Sequence, residues 1–414
     1  MDNWKMQFSG VHLQYSFKSQ GQHGADLQHP LFDLLRTMRE KGSIQQAANA
    51  LGASYRHVWG ALKNWEAELG QPLVHWAQGQ PARLTPFAER LLSQEARVRA
   101  AFAPPQLDAL RSELSRTLSE ALHGPQPTLC LHASLDPAVP LLRDQLQAQG
   151  LQLTTRATSA VSALQALAAG QTGLALVTLP ALLPSGLSGG LAPCALQGPM
   201  AQALAGALGP SADSGFRFLP LMRREQGLML PRGNPRRLRG LADLQCQRVM
   251  SIAPALRFVA RPPGSATRCL TQQLWSELGL DPLLLPGLHE TGEPHHLAAA
   301  AAVASGQGDV AIGLASAARQ FGLDFVPLRR EHCYLAVAPE VQEQPELAPL
   351  RSVLQAPAWA EALAVLPGHG PLTHAGEWLT LAEVLAPISS AAPEAAIPST
   401  RREPALAVEG ELAG

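Results

Sequence analysis

The stretch GSIQQAANALGASYRHVWGALKNWEAELG, starting at Gly42, holds the first residues whose types and spacing could do chemistry. At about 100° per residue, Tyr55, Val58, Leu62, Trp65 and Leu69 share one helical face, and Arg56, His57, Gly60, Lys63 and Asn64 share the other. Small residues and hydrogen-bond donors on an outer helical face suit the major groove of duplex DNA, whose width admits one helix. Arg56 carries the forked donors that match a guanine edge, and Lys63 the point charge that suits a phosphate. Gln80 and Arg83, in the strand-turn-strand pattern PLVHWAQGQPARLTP, stand where a wing would touch backbone or minor groove. Two short helices alone are more often a plain hairpin with a solvated face. The added strand-turn-strand, closed by Thr85 as a helix cap, favours DNA.

A second group lies at the ends of strand-like segments beyond residue 127. Ser134 follows the first such segment, Thr158 and Ser159 the second, and Thr178 the third. RPPGSATR adds Gly264, Ser265, Thr267 and Arg268 at a strand-to-helix turn, with Arg261 beside it. Hydroxyls and backbone amides gathered at helix N-termini can hold a desolvated anion with little formal positive charge. Each Ser or Thr taken alone is an ordinary helix cap; the GSATR turn is the more specific feature. ETGEPHHLAAAAAVASG places Glu293 and His296 before a helix, as capping, ligand or lobe-contact residues. The adjacent His295 and His296 diverge by about 100° on a helix and lack H-x-x-x-H spacing, so no metal site is expected. With no P-loop and no nucleophile–base pair in the sequence, no catalytic residue is assigned.

These residues need elements to position them. Pro30 opens a helical pattern through Leu31, Leu34, Leu35 and Met38, and Ile44, Ala47, Ala48 and Leu51 share the face of the next helix. Gly52 supplies the turn and Ser54 the cap of the helix that follows. Residues 5–17 alternate like a strand, and residues 86–123 read as helix with a leucine stripe from Leu107 to Leu122. Beyond HGPQP at 123–127, strands alternate with helices: TLCLHAS, LQLTTRATS, TGLALVTL, GLMLP, ALRFVARPPG, LLLPGL, GDVAIGL and LDFVPL are the strands. That alternation predicts a parallel sheet with right-handed crossovers, in two similar lobes. RRLRG near Arg236, followed by LADL, reads as a surface helix rather than a nucleic-acid patch.

Composition sets the outer limits. A chain of 414 residues exceeds one ordinary core. The formal charge is −1, and residues 1–100 hold eleven Lys and Arg against eight Asp and Glu, so electrostatics alone would not identify the DNA-facing region. Five scattered cysteines without a C-x-x-C pair fit a reducing compartment. The N-terminus lacks a secretory pattern and no apolar run reaches the roughly 18–20 residues of a membrane span. A soluble, cytoplasmic protein without a membrane partner is expected.

GSIQQAANALGASYRHVWGALKNWEAELGQPLV…GQPARLTPFAERLL resembles the winged helix-turn-helix of LysR-type regulators, and more closely the molybdate-responsive, ModE-type branch, where S-Y-x-x-x-W opens the recognition helix. Ser54, Tyr55 and Trp59 fit that pattern, with Ala88 in place of a usual Gly. LRFVARPPGSATRCL through LDFVPLRREHCYLAVAPE resembles a periplasmic-binding-protein-like domain found fused to such regulators and to molybdopterin-pathway proteins. His295 stands there in place of a common Thr, and Ala266 in place of a frequent Gly. The resemblance implies an α/β chain with an N-terminal winged helix-turn-helix and a two-lobed sensor domain. Its parts would be a DNA-binding domain at 1–90, a linker or dimerisation helix at 91–124, the sensor at 125–385 with its second lobe at about 225–320, and a disordered tail at 386–414. It further implies a homodimer or dimer of dimers on a roughly palindromic double-stranded operator. The implied effector is molybdate, tungstate or another molybdenum-metabolism ligand, with formate, molybdenum cofactor or an organic acid as alternatives and no resident cofactor. Ser54, Tyr55, Arg56, His57, Lys63, Asn64 and Arg83 would meet DNA. Ser134, Thr158, Ser159, Thr178, Gly264, Ser265, Thr267, Arg268, Glu293 and His296 would meet the effector. A molybdopterin-pathway enzyme with a DNA-binding head is a more remote reading, and a transporter's solute-capture protein would require an export signal.

Overall fold

The computed structural model describes residues 30–75, 82–101, 117, 127–181, 198–208, 215–249, 255–281, 284, 287 and 290–385. The expected strand at 5–17, Gln80, the leucine stripe at 107–122, most of LLLPGL and the tail at 386–414 lie outside these residues.

The first unit is four helices and a hairpin: α1 (Pro30–Lys41), α2 (Ile44–Ala50), α3 (Tyr55–Leu69), β1 (Val74–His75), β2 (Arg83–Leu84) and α4 (Pro86–Ala101). Ser43 caps α2 by accepting from the Gln46 amide at 3.2 Å, and Ser54 caps α3 by accepting from the His57 amide at 3.1 Å. Gly52 turns the chain between them with φ of 64°, a conformation that disfavours any side chain. Ala47 and Ala48 are fully buried, and their small size brings Val58 and Leu62 of α3 close. β1 and β2 pair antiparallel, Val74 with Leu84. Thr85 then caps α4 through the Ala88 amide and donates to the Pro72 carbonyl at 2.7 Å. Two residues leave the expected core face: Leu51 is the C-cap of α2 and Tyr55 the first residue of α3, 44% and 43% exposed.

The second unit is built on one seven-stranded sheet in the order β4-β3-β5-β9-β6-β8-β7. Its elements are β3 (Thr128–Ala133), α5 (Ala138–Ala148), β4 (Gln152–Ala157), α6 (Ala160–Ala168), β5 (Leu174–Pro180), α7 (Pro199–Leu208), β6 (Arg217–Leu230), α8 (Leu241–Val249), β7 (Phe258–Val259), α9 (Ala266–Glu277), α10 (His296–Ala304), β8 (Val310–Leu314), α11 (Ala315–Gln320), β9 (Asp324–Val337), α12 (Leu347–Gln355), α13 (Pro357–Ala364) and α14 (Leu381–Leu385). The sheet is mixed, which corrects the all-parallel expectation. β3–β4, β3–β5 and β7–β8 are parallel, whereas β5–β9, β6–β9 and β6–β8 are antiparallel.

The difference comes from β6 and β9, 14 residues each, which pair with one another from end to end. One end of β9 pairs with β5, and the far end of β6 pairs with β8. The ladder shifts register between Pro220 and Met222 and again between Gln226 and Gly227. Proline has no N–H for the ladder, and a Cβ at Gly227 would collide with the Val326 carbonyl. Separate apolar cores flank the two halves, one around Leu142, Leu335 and Trp359 and another around Leu270, Trp275 and Ile312. Two crossing strands therefore join two packed lobes.

α10 is apolar around its whole circumference, as a helix buried on both sides must be. Its run Ala299–Val303 is buried, with β8 on one side and α4 of the first unit on the other. Among the described residues no helix is long and apolar enough to cross a membrane.

Candidate functional site: the outer face of α3 and the interlobe cavity

On α3, burying Val58 and Leu62 leaves Ser54, Tyr55, Arg56, His57, Trp59 and Asn64 exposed. Arg83, on β2 of the wing, is exposed as well. Lys63 is half-buried and already engaged: its ammonium lies 2.7 Å from Glu66 Oε2 and 6.0 Å from the Trp59 ring centre. The other Glu66 oxygen accepts from the amides of Leu73 and Val74, at 2.8 and 3.2 Å. Partial burial alone would raise the Glu66 pKa, but Lys63 and these two amides outweigh it and hold the carboxyl below its ordinary range. One side chain thus fastens the wing to the helix. Trp59 was not assigned a role from the sequence, although it lies one turn from Tyr55 and so on the same side of the helix.

A cavity of about 430 Å³ opens between the lobes. Ser134 and Asp136 from the β3–α5 loop form one wall, and His295 and His296 at the start of α10 form another. Leu135, Val139, Leu297 and Leu314 make much of its surface apolar, with Arg143 and Arg319 also lining it. Glu40 of α1 reaches the same cavity. Next to it, Arg39 Nη2 donates to the Gln320 carbonyl at 3.0 Å, so the helical unit touches the second lobe.

Behind the cavity runs a buried ionic network. Arg224 on β6 donates from Nη1 to Asp136 Oδ2 at 2.6 Å and from Nε to Glu331 Oε2 at 2.9 Å. Gln226 donates to the same Glu331 oxygen at 2.6 Å, and Asp136 Oδ1 accepts from the Ala138 amide at 2.8 Å. His369 Nε2 lies 3.6 Å from Asp136. Burial would raise the Asp136 pKa, yet His369 and Arg224 together hold the carboxyl well below the usual range. Burial would likewise discharge Arg224, and Glu331 first among its neighbours keeps it firmly cationic. Arg224 Nη2 has no hydrogen-bond partner among the described residues.

Arg261 is the contrasting case. It is buried and donates to the carbonyls of Glu293 and Pro294 and, at 3.0 Å, to His296 Nδ1, all neutral acceptors. Burial, and after it repulsion from Arg224, lowers its pKa to about 9. Because a guanidinium can only donate, His296 Nδ1 is the acceptor, and the ring proton sits on Nε2. Burial and the two arginines keep His296 neutral, with its pKa well below the ordinary value. His295 Nδ1 accepts from the Ala298 amide at 3.1 Å as the cap of α10.

Of the ten effector residues expected from the sequence, Ser134 and His296 line this cavity. Ser159 caps α6, accepting from the Ser162 amide, and Gly264 abuts it from the other lobe. Gly264 has φ of 76° and its carbonyl accepts from the Val161 amide at 3.2 Å. Ser265 caps α9 and donates to the Pro262 carbonyl, so its hydroxyl is engaged locally while Gly264 makes the lobe-to-lobe contact. Thr158 is half-buried, its amide bonded to the Ala133 carbonyl. Thr178 does not follow its strand but lies inside β5, buried, with Oγ1 3.6 Å from Cys333 Sγ. Thr267 is buried within α9, and Arg268 donates to the Gly287 carbonyl at 2.6 Å. Glu293 contributes its backbone carbonyl, to Arg261. Asp136, Arg224, Glu331 and His369 were missed. The available signal was RREQ at 223–226 and RREH at 329–332, charged runs inside otherwise apolar segments.

Residues 31–89 match the family model of the bacterial regulatory helix-turn-helix protein, lysR family. Residues 200–355 match the PBP superfamily domain. The uncharacterized protein YvgK of Bacillus subtilis (strain 168) is 29% identical over 154 residues, 37% of this chain and 47% of its own length. The chain therefore matches about half of that relative. Among solved structures, a hydrogen-peroxide-bound OxyR variant of Corynebacterium glutamicum aligns at a TM-score of 0.40 and 17% identity, over 81% of this chain and 94% of its own. CbnR, a LysR family transcriptional regulator, aligns at 0.34 and 15%, over 78% of this chain and 98% of its own. The match at 31–89 is to the lysR family as a whole, coarser than the molybdate-responsive branch suggested by Ser54, Tyr55 and Trp59. The chain joins a helix-turn-helix of the lysR family to a PBP superfamily domain.

Proposed function

We propose that this chain is a cytoplasmic transcription regulator that binds an operator through α3 and senses a small organic anion in the interlobe cavity. The observation that carries the DNA half is the exposed row of Arg56, His57 and Asn64 over a fully packed helix-turn-helix core. Such a face on a homodimer, or a dimer of dimers, would meet two half-sites of a roughly palindromic duplex.

The cavity supports the ligand class. Its volume of about 430 Å³ falls in the range of small-molecule sites. A tetrahedral oxyanion would leave most of it unfilled against apolar walls. A carboxylate with an apolar body would fill it, taking hydrogen bonds from Ser134 and from Nε2 of His296. Because His296 begins α10 and α10 carries α4, ligand at that wall can bias the position of the DNA-binding unit. It does so only as far as it binds the two arrangements unequally.

Molybdate or tungstate is the second reading, favoured by two buried arginines: among the described residues, Arg224 Nη2 has no hydrogen-bond partner and Arg261 donates to two carbonyls and His296. Thermal shift of the full chain separates the two. A panel of aliphatic and aromatic carboxylates, formate, sulfate, molybdate and tungstate is titrated to millimolar levels. Ligand at about 100 times Kd stabilises by about 2.7 kcal/mol. A shift with carboxylates, abolished by His296→Leu, supports the first reading. A shift confined to molybdate and tungstate supports the second, and none with any anion removes both.

A further inference from the structure

We infer that the recognition helix reads thymine methyl groups through Tyr55 and Trp59, with Gly60 letting the helix backbone seat closely against the bases. The inference rests on the DNA-binding reading above and goes beyond it by naming which base feature is read.

Three observations on α3 carry it. Tyr55 and Trp59 are 43% and 42% exposed and stand one helical turn apart on the same side. Together they form an exposed aromatic patch on α3, and Leu51, the C-cap of α2, is 44% exposed as well. Second, the ring has a fixed cationic neighbour: Glu66 pairs with Lys63, whose ammonium stands 6.0 Å from the Trp59 ring centre, at the outer limit of a cation–π contact.

Third, Gly60 is unexplained by the chain itself. Glycine in mid-helix disfavours folding relative to alanine, and such a residue usually marks a tight internal contact. Yet a Cβ built at Gly60 meets no atom within 4 Å. The space it leaves opens outward, between Arg56 and Asn64 along the same row and beside Trp59. A close approach from outside the chain accounts for it.

The major groove offers one apolar group to such a surface, the C5-methyl of thymine. Polar donors in the row Arg56, Gly60, Asn64 can read neighbouring base edges while the aromatic row covers methyls.

The experiment uses the full chain. Duplexes are selected from a random library, and the selected half-site is then synthesised with deoxyuridine for thymidine, which removes only the methyl. Fluorescence anisotropy should show the unmodified chain losing about fourfold in affinity per methyl removed, as for one buried methylene-sized group. Trp59→Ala should bind both duplexes alike. Gly60→Ala should raise the melting temperature yet weaken binding severalfold, a combination that a purely structural glycine would not give. Indifference of the unmodified chain to deoxyuridine, a half-site without thymine, or Gly60→Ala binding at full strength overturns the inference. A Trp59→Ala chain that keeps its methyl sensitivity but changes its mass in solution would assign the patch to a second copy instead. Selection of no sequence at all would remove the DNA-binding reading itself.

Discussion

Asp136 and Arg224 illustrate how much a single buried pair can decide. Both are essentially inaccessible and the pair spans the β3–α5 loop and a crossing strand. Removing one partner of a buried pair leaves an uncompensated charge and costs about 3 kcal/mol or more, so Asp136→Asn should lose about that much stability at pH 7. The Asp136 pKa is lower in the fold than in the unfolded chain. Its stabilisation is therefore full above the unfolded value of about 4 and fades as pH falls below it. Urea titrations of the two chains should show the gap at pH 7 narrowing at about pH 3; a constant gap would refute the ionic account. At the other site, Arg56→Ala should cut sequence discrimination by about 1–3 kcal/mol in competition gel shifts, whereas unchanged discrimination would remove Arg56 from base reading. Residues such as Ser54 and Thr85 were legible because a cap bonds to its own neighbours in sequence. Asp136, Arg224 and Glu331 were not, because 88 and 107 residues separate the partners of Arg224 from it.

Among elements, the helices and turns of the first unit followed from periodicity, capping residues and glycines, all of them local. Leu51 and Tyr55 deviate because they sit at the ends of α2 and α3, where helical angles no longer place a side chain in the core. β6 and β9 were read as short strands, since their charged middles, RREQ and RREH, imitate loops. Those charges are tolerated inside a sheet because several of them satisfy one another across the ladder, Arg224 opposite Glu331 above all. The wing depends on a different long-range bond. Glu66→Ala would strip acceptors from the Leu73 and Val74 amides, which costs about 1–3 kcal/mol when donors are left buried. Faster amide exchange at residues 73–75, with α3 still helical, is the expected signature; unchanged exchange would mean that the hairpin holds itself.

At the scale of the whole molecule, the order of units was legible in the sequence, but their contact was not. α4 lies on the alanine face of α10, Arg39 donates to the Gln320 carbonyl, and Glu40 reaches the cavity that His295 and His296 line. No local pattern announces such a junction: the alanines of α10 suit a core helix equally well. Under the proposed function, the junction would give an anion in the cavity a short physical route to the helix-turn-helix unit. The most direct test is the affinity of the full chain for its selected duplex, with and without a saturating amount of the anion that most raises its melting temperature. Coupling between sites typically changes affinity about 5- to 150-fold, and the duplex should change the affinity for the anion by the same factor. A duplex affinity unmoved by an anion that demonstrably fills the cavity would contradict the account.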